Sequence, residues 1–128
     1  MIDTDDYGRI YYFAEKLDQG RDSKEIDGGS EPVQCSIKDA NLLSSLCVDG
    51  LHRPVIDLDI PCRYVPSTTP GHGHLYIDQP MSQEQFQGIL DAMAVAGVVQ
   101  EGYRKYSKQR GMALVRPPWI RKPKKHNV

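Results

Sequence analysis

The chain has 128 residues, 39% of them hydrophobic and 26% charged, with a formal net charge of −1 and three cysteines, Cys35, Cys47 and Cys62. This length suits one compact domain with a real core; no run of about 18 apolar residues is present for a bilayer span, and the acidic opening "MIDTDDYGRI" is unlike a secretory signal. The cysteines are odd in number, far apart and without a CxxC pair, which argues against a disulfide framework or a thiolate zinc site and favours a soluble protein of a reducing cytoplasm.

In chain order, "RIYYFAEKL" reads as a strand, and "DQGRDSKEIDGGSEP" has no apolar period and reads as a mobile loop. "SIKDANLLSSL" places Leu42, Leu43 and Leu46 at helical spacing, predicting a short helix before a turn at Gly50. "RPVIDLDIP" alternates β-branched residues with acids and predicts a strand closed by Pro61. Residues 61–73, "PCRYVPSTTPGHG", suit a brief edge strand around Tyr64 and Val65 or an ordered loop, and "HLYID" predicts another strand.

After Pro80, Ser82 and Gln85 form a capping-box signature ahead of Phe86, Ile89, Leu90, Met93 and Val95, with Gly97 ending the helix. "YRKYSKQ" is a turn or helix, and "MALVRPP" predicts a last strand stopped by Pro117 and Pro118. Interspersed strands and helices imply an α+β fold, a mostly antiparallel sheet with helices packed on one face. The expected organisation is an N-terminal strand and mobile acidic loop over 1–31, an α+β core over 32–118 and a basic tail over 119–128.

Charge is unevenly spread. Residues 1–31 carry −5, residues 32–100 carry −4 and residues 101–128 carry +8. Such clustering is the electrostatic footprint of a polyanion partner, because each cation placed at a phosphate releases counterions; a solvated tail that aids solubility is the alternative.

The two central strands raise a chemical question. Period two puts Ile56, Leu58 and Ile60 on one side of the first and Asp57 and Asp59 on the other; in the second, Leu75 and Ile77 oppose His74, Tyr76 and Asp78. If both strands bury their apolar side, Asp57, Asp59 and His74 share an open face. Two aspartates at i and i+2 stand about 6 to 7 Å apart, a span that Mg²⁺ or Mn²⁺ can bridge. The plain alternatives are a turn or an Arg63 ion pair for Asp59, and exposed loop positions or a zinc or iron pair for His72 and His74. Gly71 and Gly73 leave room beside the histidines for a ligand backbone or phosphate, and Tyr76 can stack on a base or serve as an ordinary half-buried residue.

"VIDLD" followed by "TPGHGHLY" resembles the first two motifs of the archaeo-eukaryotic primase superfamily, particularly phage and plasmid primase-polymerase domains, and "RGMALVRPP" is similar to their closing segment. The likeness covers roughly residues 53–118, and the chain also looks like short proteins of actinobacterial phages. The resemblance implies a primase-palm-like fold, a metal-binding and catalytic role for Asp57 and Asp59 with Mg²⁺ or Mn²⁺, and a phosphate contact at His74. The candidate catalytic residues are then Asp57, Asp59 and His74, and the candidate nucleotide or phosphate contacts are Thr69, Gly71, His72, Gly73, Tyr76 and Arg116. Gly71 stands where the family has serine, and "YRKYSKQRG" has no acid where the family carries its third.

The expectation that follows is a reduced primase-like domain that binds a nucleotide or nucleic-acid phosphate, with or without turnover. A non-catalytic phage accessory protein acting on host or replication machinery is the alternative. A small hydrolase in which His72, His74 and Asp57 hold a metal-activated water is a third reading.

Overall fold

The structure, a computed structural model, describes residues 2–15 and 31–121. The described residues form an α+β arrangement of five strands and two α-helices, and the chain divides into two compact units, Met1–Asp57 and Leu58–Val128. The strands form two antiparallel sheets, one in each unit. Residues 18–30 of the expected mobile loop and 122–128 of the expected basic tail lie outside the described residues. No described helix is long and apolar enough to cross a membrane.

In the first unit, β1 (Arg9–Phe13) is the central strand between β2 (Val33–Gln34) and β3 (Leu42–Cys47). Arg9 faces Cys47, Tyr11 faces Leu43 and Tyr12 faces Leu42, with a bulge between the first two pairs. Ile10, Ala14 and Cys47 make the small buried core. Side chains secure the ends of β1. Asn41 accepts from the Ala14 amide (3.0 Å) and donates to its carbonyl (2.8 Å), substituting for a strand partner. Asp5 accepts from the amides of Tyr7 (3.0 Å) and Arg9 (2.8 Å) and from the Arg9 guanidinium (3.0 Å).

These bonds make the unit sensitive to acid. At Asp5, desolvation raises the pKa as the largest single influence. The hydrogen bonds from the Arg9 backbone and side chain and the Tyr7 backbone, together with the Arg9 charge, outweigh it and leave the pKa below 3.8. At Asp49 the Leu51 amide lowers the pKa most, with further help from Arg53. A carboxylate whose pKa falls on folding stabilises the native state at pH values above its unfolded pKa and loses that contribution as pH drops through the folded one. The denaturation midpoint is therefore expected to decline as pH falls below 3.8, and Asp5→Asn should flatten the decline. A midpoint that drops equally steeply in the variant would remove Asp5 as a cause.

Three expected elements differ. The helix expected over 36–46 is a single 3-10 turn at Ile37–Asp39 followed by β3. The leucine spacing fits a helix, but Asp3 takes the Ile37 amide (2.8 Å) and β1 offers Leu42–Cys47 a ladder, so a non-local partner overrides the local period. The strand expected over 53–61 is also absent: residues 53–58 belong to no ladder and a bend follows at Asp59 and Ile60. Pro54 has no N–H to donate, and the Arg9 side chain takes the carbonyls of Arg53 (3.0 Å) and Pro54 (3.3 Å). Ile56 and Leu58, expected on the buried side, are 68% and 49% exposed. The strand expected in "MALVRPP" likewise finds no partner, and after Pro117 the chain turns through an Ile120 amide to Pro117 carbonyl bond of 3.0 Å.

The second unit holds the hairpin of β4 (Cys62–Pro66) and β5 (Gly73–Ile77) and the helices α1 (Gln83–Val95) and α2 (Glu101–Arg110). The expected capping box is present: Ser82 Oγ accepts from the Gln85 amide (3.1 Å) and Gln85 Oε1 from the Ser82 amide (2.9 Å). Phe86, Ile89, Leu90 and Met93 share the covered side of α1, whereas Val95 is 91% exposed because it falls opposite that stripe. α1 and α2 pack together with Leu90 and Ser107 buried. Arg104 links them, its Nε 2.7 Å from Asp91 Oδ1 and its Nη1 2.8 Å from Glu101 Oε1.

Candidate functional site

Most of the residues singled out from the sequence belong to the β4–β5 hairpin. Its ladder runs Cys62 to Ile77, Arg63 to Tyr76, Tyr64 to Leu75, Val65 to His74 and Pro66 to Gly73. Since side chains alternate along a strand, His74 and Tyr76 share one face with Val65 and Arg63, while Leu75 and Ile77 share the other with Tyr64 and Cys62. The expected alternation along "HLYID" is therefore present. The burial is not, for Leu75 is 50% exposed.

The connecting loop is built by short-range chemistry. The His72 amide donates to the Thr69 carbonyl (3.0 Å) across Pro70 and Gly71. Gly71 has φ +79°, as the third position of a type II turn requires after a proline. Ser67 Oγ accepts from the Thr69 amide (3.2 Å), and the Ser67 amide donates to the His72 carbonyl (2.9 Å). Thr69, Gly71 and His72 thus belong to one tight turn directly ahead of His74.

Gly73 is explained by its neighbour. A Cβ there would run into the Tyr64 ring, which lies across the strand, so the room expected for a ligand beside Gly73 is filled by an aromatic ring. Gly73→Ala should cost about 1 kcal/mol or somewhat more, because the half-exposed ring can swing aside and lose its packing. The loss should vanish in a Tyr64→Ala background. A cost that persists without the ring would assign the effect to backbone conformation.

The remaining candidates lie outside the hairpin. Asp57 is exposed at the end of the first unit, and Asp59 is exposed in the bend that opens the second. Without a strand over 55–59, alternation no longer puts the two carboxylates on one ladder face. Arg116 is exposed in the irregular segment after α2. No group of three or more His, Cys, Asp or Glu side chains converges on a possible metal position among the described residues. An open recess of about 310 Å³ at the base of the hairpin is lined by Pro61, Cys62, Arg63, Tyr76, Ile77 and Asp78, and of the candidates it takes in only Tyr76.

A feature not singled out residue by residue lies on α2. Arg104 is engaged by Asp91 and Glu101, and the Asp91 hydrogen bond is the largest influence raising its pKa. Lys105, Lys108 and Arg110 are exposed, and among the described residues none of them has a carboxylate partner. Tyr106 lies among them, with Lys105 Nζ 5.8 Å and the Arg110 guanidinium carbon 5.7 Å from its ring centroid. The excess of positive charge past residue 100 was the available signal; which of those cations are free follows only from the helical arrangement.

No protein-family profile matches the chain, no curated protein matches it, and no solved structure matches it.

Proposed function

We propose that this chain is a nucleic-acid-binding accessory protein that holds the phosphate backbone through its cationic C-terminal part and catalyses no phosphoryl transfer. The observation that carries this reading is α2, where Lys105, Lys108 and Arg110 are exposed and unpaired among the described residues while the two nearby acids, Asp91 and Glu101, are both engaged with Arg104. Arg116, Arg121, Lys122, Lys124 and Lys125 follow in sequence with no further acid. Cations not neutralised by their own protein can exchange condensed counterions for direct contact with phosphates. Two-metal nucleotidyl transfer needs several carboxylates around one reacting phosphate, and the part of the chain richest in cations has only Glu101.

The test is fluorescence anisotropy of a labelled oligonucleotide at several salt concentrations. Binding should weaken steeply as salt rises, and deletion of residues 121–128 should lower both affinity and slope. A salt-independent affinity would refute the phosphate role, and a slope unchanged by the deletion would take residues 121–128 out of it. The primase resemblance would add Mg²⁺ or Mn²⁺ at Asp57 and Asp59, as a site for one nucleotide phosphate. A thermal shift with Mn²⁺ that disappears in Asp57→Asn/Asp59→Asn would support that addition, and no shift would remove it.

A further inference from the structure

We infer that the Leu58–Val128 unit prefers single-stranded to duplex nucleic acid, with bases stacking on Tyr106 and Trp119; this rests on the nucleic-acid reading above and specifies its ligand. Two aromatic rings in this unit are displayed to solvent, one beside cations in space and one between cations in sequence. Tyr106 is 50% exposed on α2, with the long side chains of Lys105 and Arg110 reaching over its ring at 5.8 and 5.7 Å from its centroid, where an incoming base would displace them toward its phosphate. Trp119 is 79% exposed in a turn fixed by the Ile120 amide and the Pro117 carbonyl at 3.0 Å. Arg116 and Arg121 flank that turn in sequence.

The combination selects the occupant. An apolar partner surface would bury the rings but would have to desolvate the adjoining cations without compensation. A nucleotide satisfies both, its base lying on the ring and its phosphate meeting the neighbouring charge. Base faces are available for stacking in a single strand and are covered in a duplex, where a protein meets only edges and backbone. A glutamine–lysine helix surface without rings would bind either form by charge alone.

Trp119 is the only tryptophan in the chain, so its emission reports directly on stacking. The full chain is titrated with a labelled oligothymidylate, an oligouridylate and a duplex of the same length by anisotropy. Trp119 emission is followed in parallel with the unlabelled strands and with inorganic polyphosphate. Both single strands, or one of them, should bind at least about fivefold tighter than the duplex and quench Trp119, while polyphosphate should not quench it. Trp119→Leu and Tyr106→Leu should each weaken single-strand binding about fivefold or more with the salt slope unchanged, and Tyr106→Phe should retain affinity. If Tyr106→Leu lowers helicity by circular dichroism, Trp119→Leu alone decides the matter.

Equal or tighter duplex binding, unquenched emission at saturation, or full affinity in the leucine variants would overturn the inference while leaving phosphate binding intact. No binding of any strand would defeat both.

Discussion

Leu90→Ala is expected to destabilise the helical pair of the second unit by about 2 to 5 kcal/mol, the range for a leucine removed from a packed site. Leu90 is 5% exposed and is the one buried apolar side chain of that unit among the described residues. Its loss cannot be absorbed elsewhere in the contact, because α2, "EGYRKYSKQR", has no aliphatic side chain of its own. A ten-residue helix of that composition is marginal alone, so it depends on α1 for its helicity. The Arg104–Asp91 pair pins the two helices, but Asp91 is 44% exposed and such pairs contribute at most about 1 kcal/mol. Leu90→Ala should therefore shift the urea midpoint and reduce helical ellipticity together. Leu90→Met should cost less than about 1.5 kcal/mol, and Val95→Ala, at a position 91% exposed, should stay within about 0.5 kcal/mol. Similar losses for Leu90→Ala and Val95→Ala would mean that the helices are not held by the Leu90 contact.

The contrast between those two positions shows what the amino-acid order reveals by itself. The capping box at Ser82 and Gln85 was legible because donor and acceptor lie within one turn. The Pro-Gly turn before His72 rests on the same kind of local chemistry, a bond between residues three positions apart, within a stretch whose prolines and glycines suit an edge strand or an ordered loop. The 42–47 segment was misread because its leucine spacing is compatible with two conformations, and a distant strand, Arg9–Phe13, selects between them.

"VIDLD" is the more instructive failure. Alternation describes which way side chains would point if the backbone were in a sheet; it does not supply the neighbouring strand. Pro54 and the capture of two carbonyls by Arg9 withhold one. The candidate site inherits this distinction: the turn residues Thr69, Gly71 and His72 come together by local bonding, whereas the proposed carboxylate pair relied on a ladder that does not form. The cations of α2 were visible as a charge total, but the engagement of Arg104 by Asp91, thirteen residues away, separates the bound cation from the exposed ones only in three dimensions.

The largest expected effect on binding comes from Lys105→Gln/Lys108→Gln/Arg110→Gln. Each cation that neutralises one phosphate contributes about 0.7 to 0.9 to the slope of log affinity against log salt. Removing three such contacts should lower the slope by about 2 to 3, and affinity near 0.1 M salt by roughly two orders of magnitude. Glutamine preserves helix propensity and the reach of the stem, so helicity should be retained. Asp57→Asn/Asp59→Asn gives the opposite expectation. If the acids take no part in holding phosphate, their neutralisation leaves affinity unchanged or raises it slightly by removing negative charge. If a divalent ion bridges them to the ligand, the same change weakens binding only when Mg²⁺ or Mn²⁺ is present, since the bridge depends on both carboxylates. Binding that is metal-dependent, lost in the double asparagine variant and indifferent to the triple glutamine variant would therefore return the functional centre to the acids and displace it from α2.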